Sequence, residues 1–487
     1  MSRAAPPGSP WRRLFTEPPR PDVIRGLRWA PWLAVGTVCI GAFMGQLDVS
    51  IVTVALPTIG RDLHAGLGAV EWVVLSYAIV LVGVVALVGR LADTMGRKLL
   101  YTYGFAVFAA ASAGCALAPN LGVLVTFRAV QGVGAVMLQA NSVALIRDVA
   151  PRGRLGTAVG LQGAAQAVGL AAGPSIGGLL VAAGGWRLIF LVNVPVGAAG
   201  VVLAWLLLPR SRNLAPPSPI DIPGAALLAG AAALALASLS LAVQPGFSVV
   251  AVAITGAGAV VLGAATVARQ RARPGSVIDS VLLRRPAFTL GCASGLLSYA
   301  ALFGTLLVVP FSLESGAGLN ARDAGLRLTV LPVALALVAP FGGRIADRAG
   351  ARLPTVSGMA LAAIGLGLVA TESGTAALLA GLSLAGAGFG LFIPANNAAV
   401  VGSAPPTHAG RAAGLLNLTR GLGTALGVAV AALVYVLAGG VVTQGAVVPG
   451  AAAAGARATA LVLLVLALAA GALASLRPAR VRGGGGP

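Results

Sequence analysis

One aspartate, Asp48, is the strongest candidate for chemistry, because it lies in the middle of a long apolar run. It stands about sixteen residues from Trp32 on one side and from His64 on the other. A charge at the centre of a membrane-crossing helix costs about 2.5–3.5 kcal/mol, so such groups usually face a water-filled cavity or a partner. No other carboxylate of the sequence is expected so deep in an apolar run. Asp48 should either exchange a proton or bind a cation, or form one half of a fixed ion pair between helices.

Two arginines also fall inside apolar runs. Arg128 could hold Asp48 or a backbone carbonyl group. Arg420 could bind an anionic or dipolar group of a substrate, or donate hydrogen bonds to carbonyl oxygens. Binding sites for small molecules are mostly apolar with a few convergent polar groups, which favours a lipophilic ligand here. The set predicted for proton coupling or substrate binding is Asp48, Arg128, Gln46, Gln131, Asn417 and Arg420.

Long apolar runs must position these residues, and the composition indicates what they build. The chain is 58% hydrophobic and 9% charged, whereas soluble domains are about 25% charged. A helix of about 20 residues crosses the ~30 Å apolar core of a bilayer. Fourteen runs of suitable length are recognisable, which predicts an all-α polytopic membrane protein.

The fourteen runs divide into two sets of six with a pair between them. A Pro-rich linker precedes the seventh run, and a basic linker follows the eighth. The predicted organisation is an N-terminal tail (1–30), an N-terminal six-helix bundle (31–208), a linker with two additional membrane helices (209–286), a C-terminal six-helix bundle (287–476) and a C-terminal tail (477–487).

Positive charge exceeds negative charge by a wide margin, with 33 Lys and Arg against 13 Asp and Glu and a net charge of +20. Such an excess can indicate a nucleic-acid partner. Most of these cations, however, lie in the tails and in the loops on one side of the fourteen helices. Cytoplasmic loops of membrane proteins carry this bias. The distribution therefore predicts that both termini are cytoplasmic and that no nucleic acid is bound.

A charged turn at residues 89–98, between two membrane-length runs, returns in the second half at residues 343–352. Both copies have the same orientation, as expected for parallel repeats related by an axis along the membrane normal. A carboxylate in such a turn can meet helix N-terminal amides and nearby cations. We therefore expect a conformational latch at the inner face, formed by Gly89, Asp93, Gly96, Arg97, Lys98, Arg344 and Asp347.

The fifth run contains glycines at a spacing of four residues. This spacing places them on one face of a helix, so that another backbone can approach closely. Pro174 removes one amide hydrogen bond and permits a kink. The residues of this predicted packing helix are Gly169, Gly173, Pro174, Gly177 and Gly178.

Several motifs occur in a fixed order along nearly the whole chain, and together they resemble the major facilitator superfamily. They match its fourteen-span drug:proton antiporters of the EmrB/QacA type. The family usually has a basic residue at the position of Thr94, which makes this turn a weaker latch. The matching stretches are 47–57, 89–98, 128–134, 169–178, 186–195 and 221–224.

The resemblance implies a major facilitator fold and proton-driven efflux of drugs or other lipophilic molecules across the bacterial inner membrane by alternating access. It implies that Arg128 modulates proton movement and that the glycine-rich fifth helix lines the interface between the halves. The expected partners are a lipophilic small molecule, protons and the lipid bilayer, and the expected state is a monomer. An importer or exporter of a specific metabolite remains the alternative.

Two other classes of protein fit the sequence poorly. A membrane enzyme would need catalytic groups, but His64 and His408 fall in loops and no run contains paired carboxylates or a Ser/His set. A membrane sensor or scaffold would normally carry a soluble module, for which the loops are too short. We therefore expect no enzymatic activity, no cofactor and no metal site.

Overall fold

The computed structural model describes residues 17, 19–151, 154–211, 221–242, 248–272, 280–371, 374–404, 409–439 and 449–477. Within these ranges the protein is helical, and no strand occurs. Fourteen of the described helices are long and apolar enough to cross a membrane, which confirms the predicted number.

We label these helices in chain order. They are α1 (Ala30–Asp62), α2 (Trp72–Met95), α3 (Arg97–Ala116), α4 (Leu121–Val149), α5 (Leu155–Gly184), α6 (Asn193–Leu207), α7 (Ile222–Leu241), α8 (Val249–Ala272), α9 (Pro286–Phe311), α10 (Val330–Ala349), α11 (Arg352–Ala370), α12 (Thr375–Gly402), α13 (Ala409–Leu437) and α14 (Pro449–Ser475). Short α-helices precede five of them: Asp22–Arg25 before α1, Leu67–Val70 before α2, Arg187–Leu191 before α6, Ser280–Leu283 before α9 and Ala321–Leu328 before α10. On the orientation predicted from the charges, α1 runs from the inner to the outer side, and we use these words in that sense.

The glycine face of α5 packs against α1. A methyl group at Gly169 would collide with the Phe43 carbonyl, and one at Gly173 would collide with the Ser50 side chain. One at Gly177 would lie 2.9 Å from a side-chain carbon of Ile51. Small residues allow helices to approach this closely in a membrane. The predicted packing of this glycine face is therefore present, within the first six helices.

A different part of α5 contacts the second half of the chain near the outer side. A methyl group at Gly178 would lie 2.7 Å from the Ala321 carbonyl oxygen. The hydroxyl groups of Ser175 and Thr329 are 2.6 Å apart. At the same side, Arg61 forms an ion pair of 2.7 Å with Glu314 of the second half. These contacts close the outer end of the interface between the halves.

Of the two additional helices, α7 and α8, the first lies beside α2. α7 packs against both α2 and α13, and a methyl group at Gly83 would lie 2.5 Å from the Ala229 side chain. α8 packs against α7. Five of its large apolar side chains are at least 64% exposed, as expected for a helix that faces lipid: Val249, Val250, Ile254, Val260 and Val261.

Candidate functional site

Asp48 and Arg128 form an ion pair in the middle of the first six helices. Asp48 lies on α1 and Arg128 on α4, and the Arg128 Nη1 atom is 2.7 Å from the Asp48 Oδ2 atom. Both side chains are fully buried. Of the two interpretations left open for Arg128, the structure thus shows direct pairing with Asp48.

Amide groups from two further positions hold the carboxylate. The Asp48 Oδ1 atom accepts a hydrogen bond of 2.9 Å from the Gln131 amide and one of 3.0 Å from the Asn193 amide. The Gln131 carbonyl oxygen in turn accepts one of 2.6 Å from Arg128. Asp48 therefore has three donors, and its charged form is well satisfied in a buried place.

The guanidinium group of Arg128 is held from the opposite side by α2. Its Nε atom donates to the Val73 carbonyl oxygen at 2.8 Å. The group lies over the Tyr77 ring, 4.5 Å from its centroid. The Nη2 atom has no hydrogen-bond partner among the described residues, so two of the five N–H donors of the guanidinium group are unused.

A small cavity of about 40 Å³ lies between the two halves, at the level of this pair. Aromatic and apolar groups dominate its wall, with Gln46 and Arg420 among the polar groups. Arg420 lies over the Tyr299 ring, 5.4 Å from its centroid, and no carboxylate pairs with it in the described part of the chain. Pockets for drug-sized ligands measure about 300–1,000 Å³. The cavity must widen before it can hold such a molecule.

Tyr77 connects the cavity with the ion pair. Its ring forms part of the cavity wall, and the same ring lies against the Arg128 guanidinium group. Asp48 itself is not part of the wall. A change in the charge of the pair can therefore reach the cavity through the position of one aromatic side chain.

The structure brings together only some of the predicted site residues. Asp48, Arg128 and Gln131 are in one network, whereas Gln46 and Arg420 line the cavity. Asn417 precedes Arg420 on α13, is half-buried and is not part of the cavity wall. Asn193 was not among the predicted site residues, although it contacts Asp48. The sequence feature that could have identified Asn193 is a side-chain amide within an otherwise apolar segment.

Two further carboxylates are buried, although neither lies in the middle of an apolar run as Asp48 does. Glu71, at the outer end of α2, is fully buried, and the side chain of Glu314 is 1% exposed. Both residues lie at the ends of apolar runs, where the sequence alone places them near water. The neighbouring helices cover Glu71, and the first half of the chain covers Glu314 through Arg61.

The two charged turns have the same backbone geometry in both halves. Gly96 ends α2 with a φ of 106°, and Gly350 ends α10 with a φ of 84°. These left-handed conformations favour glycine. The side chains of Asp93 and Asp347 lie outside the described residues, so the latch remains a prediction.

The remaining latch residues occupy different environments. Gly89 lies within α2 with open space around its Cα atom. Arg97 pairs with Asp148 of α4 at 2.8 Å, and Lys98 is buried. Arg344 is exposed, with its guanidinium group 5.8 Å from the Phe341 ring centroid.

An acidic residue of the N-terminal tail is bound at the first turn. The Glu17 carboxylate accepts a hydrogen bond of 3.2 Å from the Leu99 amide and one of 2.9 Å from the Ser211 hydroxyl. It thereby caps the N-terminus of α3. The sequence alone predicted only a cytoplasmic tail over these residues.

Comparison with known proteins places the chain among transporters. The sequence model of the Major Facilitator Superfamily matches residues 38–221 and 291–486. A riboflavin transporter of Clostridioides difficile is 32% identical over 82% of this chain and 87% of its own length. The tetracenomycin C resistance and export protein of Streptomyces glaucescens is 31% identical over 83% of this chain and 76% of its own length.

A solved structure has the same fold at low sequence identity. It is a bacterial homologue of the human lysosomal transporter Spinster, in an inward-facing and occupied conformation. The TM-score is 0.66 at 16% identity, over 93% of this chain and 97% of the other. The likeness supports the helical arrangement described above.

Proposed function

This chain belongs to the major facilitator superfamily, and we propose that it exports lipophilic small molecules across the bacterial plasma membrane in exchange for protons. The observation that carries the proposal is the buried Asp48–Arg128 pair, which lies next to a cavity between the halves and contacts its wall through Tyr77. The protein acts as a monomer, without a cofactor and without enzymatic chemistry.

The ion pair provides the proton-binding group. Protonation of Asp48 neutralises its charge and leaves Arg128 as an unpaired buried cation, which is strongly unfavourable. Arg128 then moves toward another acceptor or toward water, and the Tyr77 ring against it moves too. Each proton that enters from outside gains about 2.3 kcal/mol per 100 mV from the membrane potential. This energy can drive the switch between the inward-open and the outward-open conformation.

The cavity provides the substrate site. Its aromatic wall suits flat, lipophilic molecules, and the Arg420 guanidinium group offers donors to an anionic or dipolar substituent. The similarity to a tetracenomycin C resistance and export protein supports export as the direction of transport. One unpaired cation and no carboxylate in the wall make small inorganic cations poor substrates.

Alternating access uses the contacts between the halves. The contacts of α5 with α10 and the Arg61–Glu314 pair close the outer side. Breaking them while the inner ends approach would open the cavity outward. Gly178 permits the close approach of the halves, which a side chain would prevent.

Transport of a specific metabolite is a second candidate. The riboflavin transporter among the relatives favours it, and so does the guanidinium group of Arg420 beside an aromatic ring. In this case the direction of transport and the range of substrates would both differ from those of a drug exporter.

Expression in an efflux-deficient bacterial host distinguishes the two candidates. We expect raised minimal inhibitory concentrations for several lipophilic antibiotics with the wild type and no increase with Asp48→Asn. Uptake of riboflavin by a riboflavin-requiring strain, without any resistance, would contradict the export proposal and support metabolite transport.

A further inference from the structure

Glu71 is a buried acid that neither the ion pair nor the cavity uses. It stands between the short helix Leu67–Val70 and the first residue of α2, Trp72, and is 0% exposed. Gly66, five positions earlier, is exposed. The carboxyl group is therefore buried only about one helical turn from the outer loop.

A hydroxyl group from the first additional helix lies beside the segment that carries this carboxyl group. The Ser240 hydroxyl, near the outer end of α7, donates its hydrogen to the Gly68 carbonyl oxygen, three residues before Glu71, at 2.6 Å. It accepts a hydrogen bond of 2.8 Å from the Trp72 indole. Neither oxygen of Glu71 has a hydrogen-bond partner in the described part of the protein.

Such surroundings fit a neutral carboxylic acid rather than a carboxylate. A buried carboxylate without donors is strongly disfavoured, and the group takes up a proton instead. The Ser240 oxygen has two lone pairs, of which Trp72 uses one. A protonated Glu71 can donate to the second. Asp48, with three donors around it, has the opposite environment.

No charged group in the described part of the chain forms a hydrogen bond with Glu71. Arg128 reaches the Val73 carbonyl, two residues further along α2, but its charge is taken up by Asp48. On α13, Arg420 lies at the cavity. Other titratable side chains on the elements that surround it include Tyr77, Tyr435, Arg61 and Asp62.

Glu71 also lies beside the line of residues that forms the cavity wall. Val74 and Ala78, three and seven positions later on α2, are part of that wall. Residues at this spacing lie on one side of a helix. The Glu71 carboxyl group is therefore located on the outer side of the cavity, next to α7.

We propose that Glu71, with the Ser240 hydroxyl of α7, is a second proton-binding site, loaded from the outer side. The proposal rests on the proposed function and gives α7 a role in it. When the outer contacts separate, water reaches Glu71, and the carboxylate binds one proton to become a neutral acid that donates to Ser240. When the outer side closes, the proton stays on Glu71. It leaves when water next reaches Glu71 through the cavity.

Infrared difference spectroscopy of the purified protein in nanodiscs tests this site without any substrate. A protonated carboxylic acid has a carbonyl band that shifts on transfer to D₂O. We expect this band at neutral pH in the wild type and its loss in Glu71→Gln. Glu314→Gln, which removes another buried glutamate of the outer side, should retain it. In Ser240→Ala the band should remain but shift, because the hydrogen bond to the acid is lost.

The rate of deuterium exchange tests loading from the outer side. A disulfide between Ser175→Cys and Thr329→Cys, whose native hydroxyls are 2.6 Å apart, should hold the outer side closed. We expect at least tenfold slower exchange of the Glu71 band in the cross-linked protein than after reduction. An unchanged band in Glu71→Gln, or equal exchange rates in both forms, would overturn the proposal.

The outcome is separate from that of the proposed function. If vesicles show no proton-coupled export but the band behaves as expected, the export proposal fails and Glu71 remains a proton-binding site. If export is proton-coupled but the wild type lacks the band, the inference about Glu71 fails alone. Should Glu71→Gln not fold, the band shift in Ser240→Ala decides the assignment.

Discussion

Gly178 should control how readily the outer side closes, because it lies where the two halves touch. A Cβ atom at this position would be 2.7 Å from the Ala321 carbonyl oxygen and 3.2 Å from the Arg322 Cα atom. Relaxed carbon–oxygen contacts measure about 3.3–3.6 Å. Gly178→Ala therefore requires the halves to separate by several tenths of an ångström. Both obstructing atoms belong to the backbone, so no side-chain rotation can relieve the contact.

The size of the effect follows from the energy of overpacking. One extra methyl group in a tight contact costs about 1–3 kcal/mol, and 1.4 kcal/mol is a factor of ten in an equilibrium constant. The substitution should shift the equilibrium away from the outward-closed state by roughly 5- to 150-fold. A conformation that is open to the outside lacks this contact, so the substitution does not destabilise it.

The assay measures access to the outer interface. Ser175→Cys, in a background without the native cysteines, reports closure through its rate of reaction with a membrane-impermeant maleimide. Gly178→Ala should raise this rate. Gly163→Ala is the matched control on the same helix, because nothing lies within 4 Å of a methyl group there. Gly169→Ala should lower thermal stability without this increase, since it collides with α1 of its own half. Equal labelling of Gly178→Ala and Gly163→Ala would refute the reasoning.

Three further predictions concern the site and the tail. Arg128→Met should destabilise the protein by about 3–5 kcal/mol, because it leaves a buried Asp48 unpaired, and adding Asp48→Asn should restore part of the melting temperature measured in detergent. Arg420→Gln should raise the half-maximal concentration of an anionic substrate by roughly tenfold, since hydrogen bonds to charged groups are worth about 1.5–3 kcal/mol, and leave cationic substrates less affected in the same efflux assay. Glu17→Gln should weaken the cap on α3 by about 1 kcal/mol, and limited proteolysis should then cleave the N-terminal tail faster.

The sequence was sufficient for the fold because the bilayer restricts the choice. Fourteen apolar runs, the repeated charged turn and the charge distribution specified the number of helices and the duplication. Asp48 could be singled out because a charge in the middle of a run has no escape to water. The glycines of α5 could be placed on one face because helical spacing alone decides it.

The partners of buried groups could not be deduced in the same way. Whether Arg128 meets Asp48 depends on how α1 and α4 rotate against each other, which the apolar periodicity does not specify. Glu71 and Glu314 stand at helix ends, where an acid usually reaches water. α7 covers Glu71, and the opposite half of the chain covers Glu314. Neither covering segment is adjacent in sequence to the residue that it covers.

Substrate-induced proton movement in vesicles tests the central claim most directly. Inverted membrane vesicles with the wild-type protein are energised, and a compound from the resistance panel is added while the internal pH is recorded. We predict proton release with the wild type and none with Asp48→Asn, at equal expression. Undiminished proton release from Asp48→Asn would contradict the account.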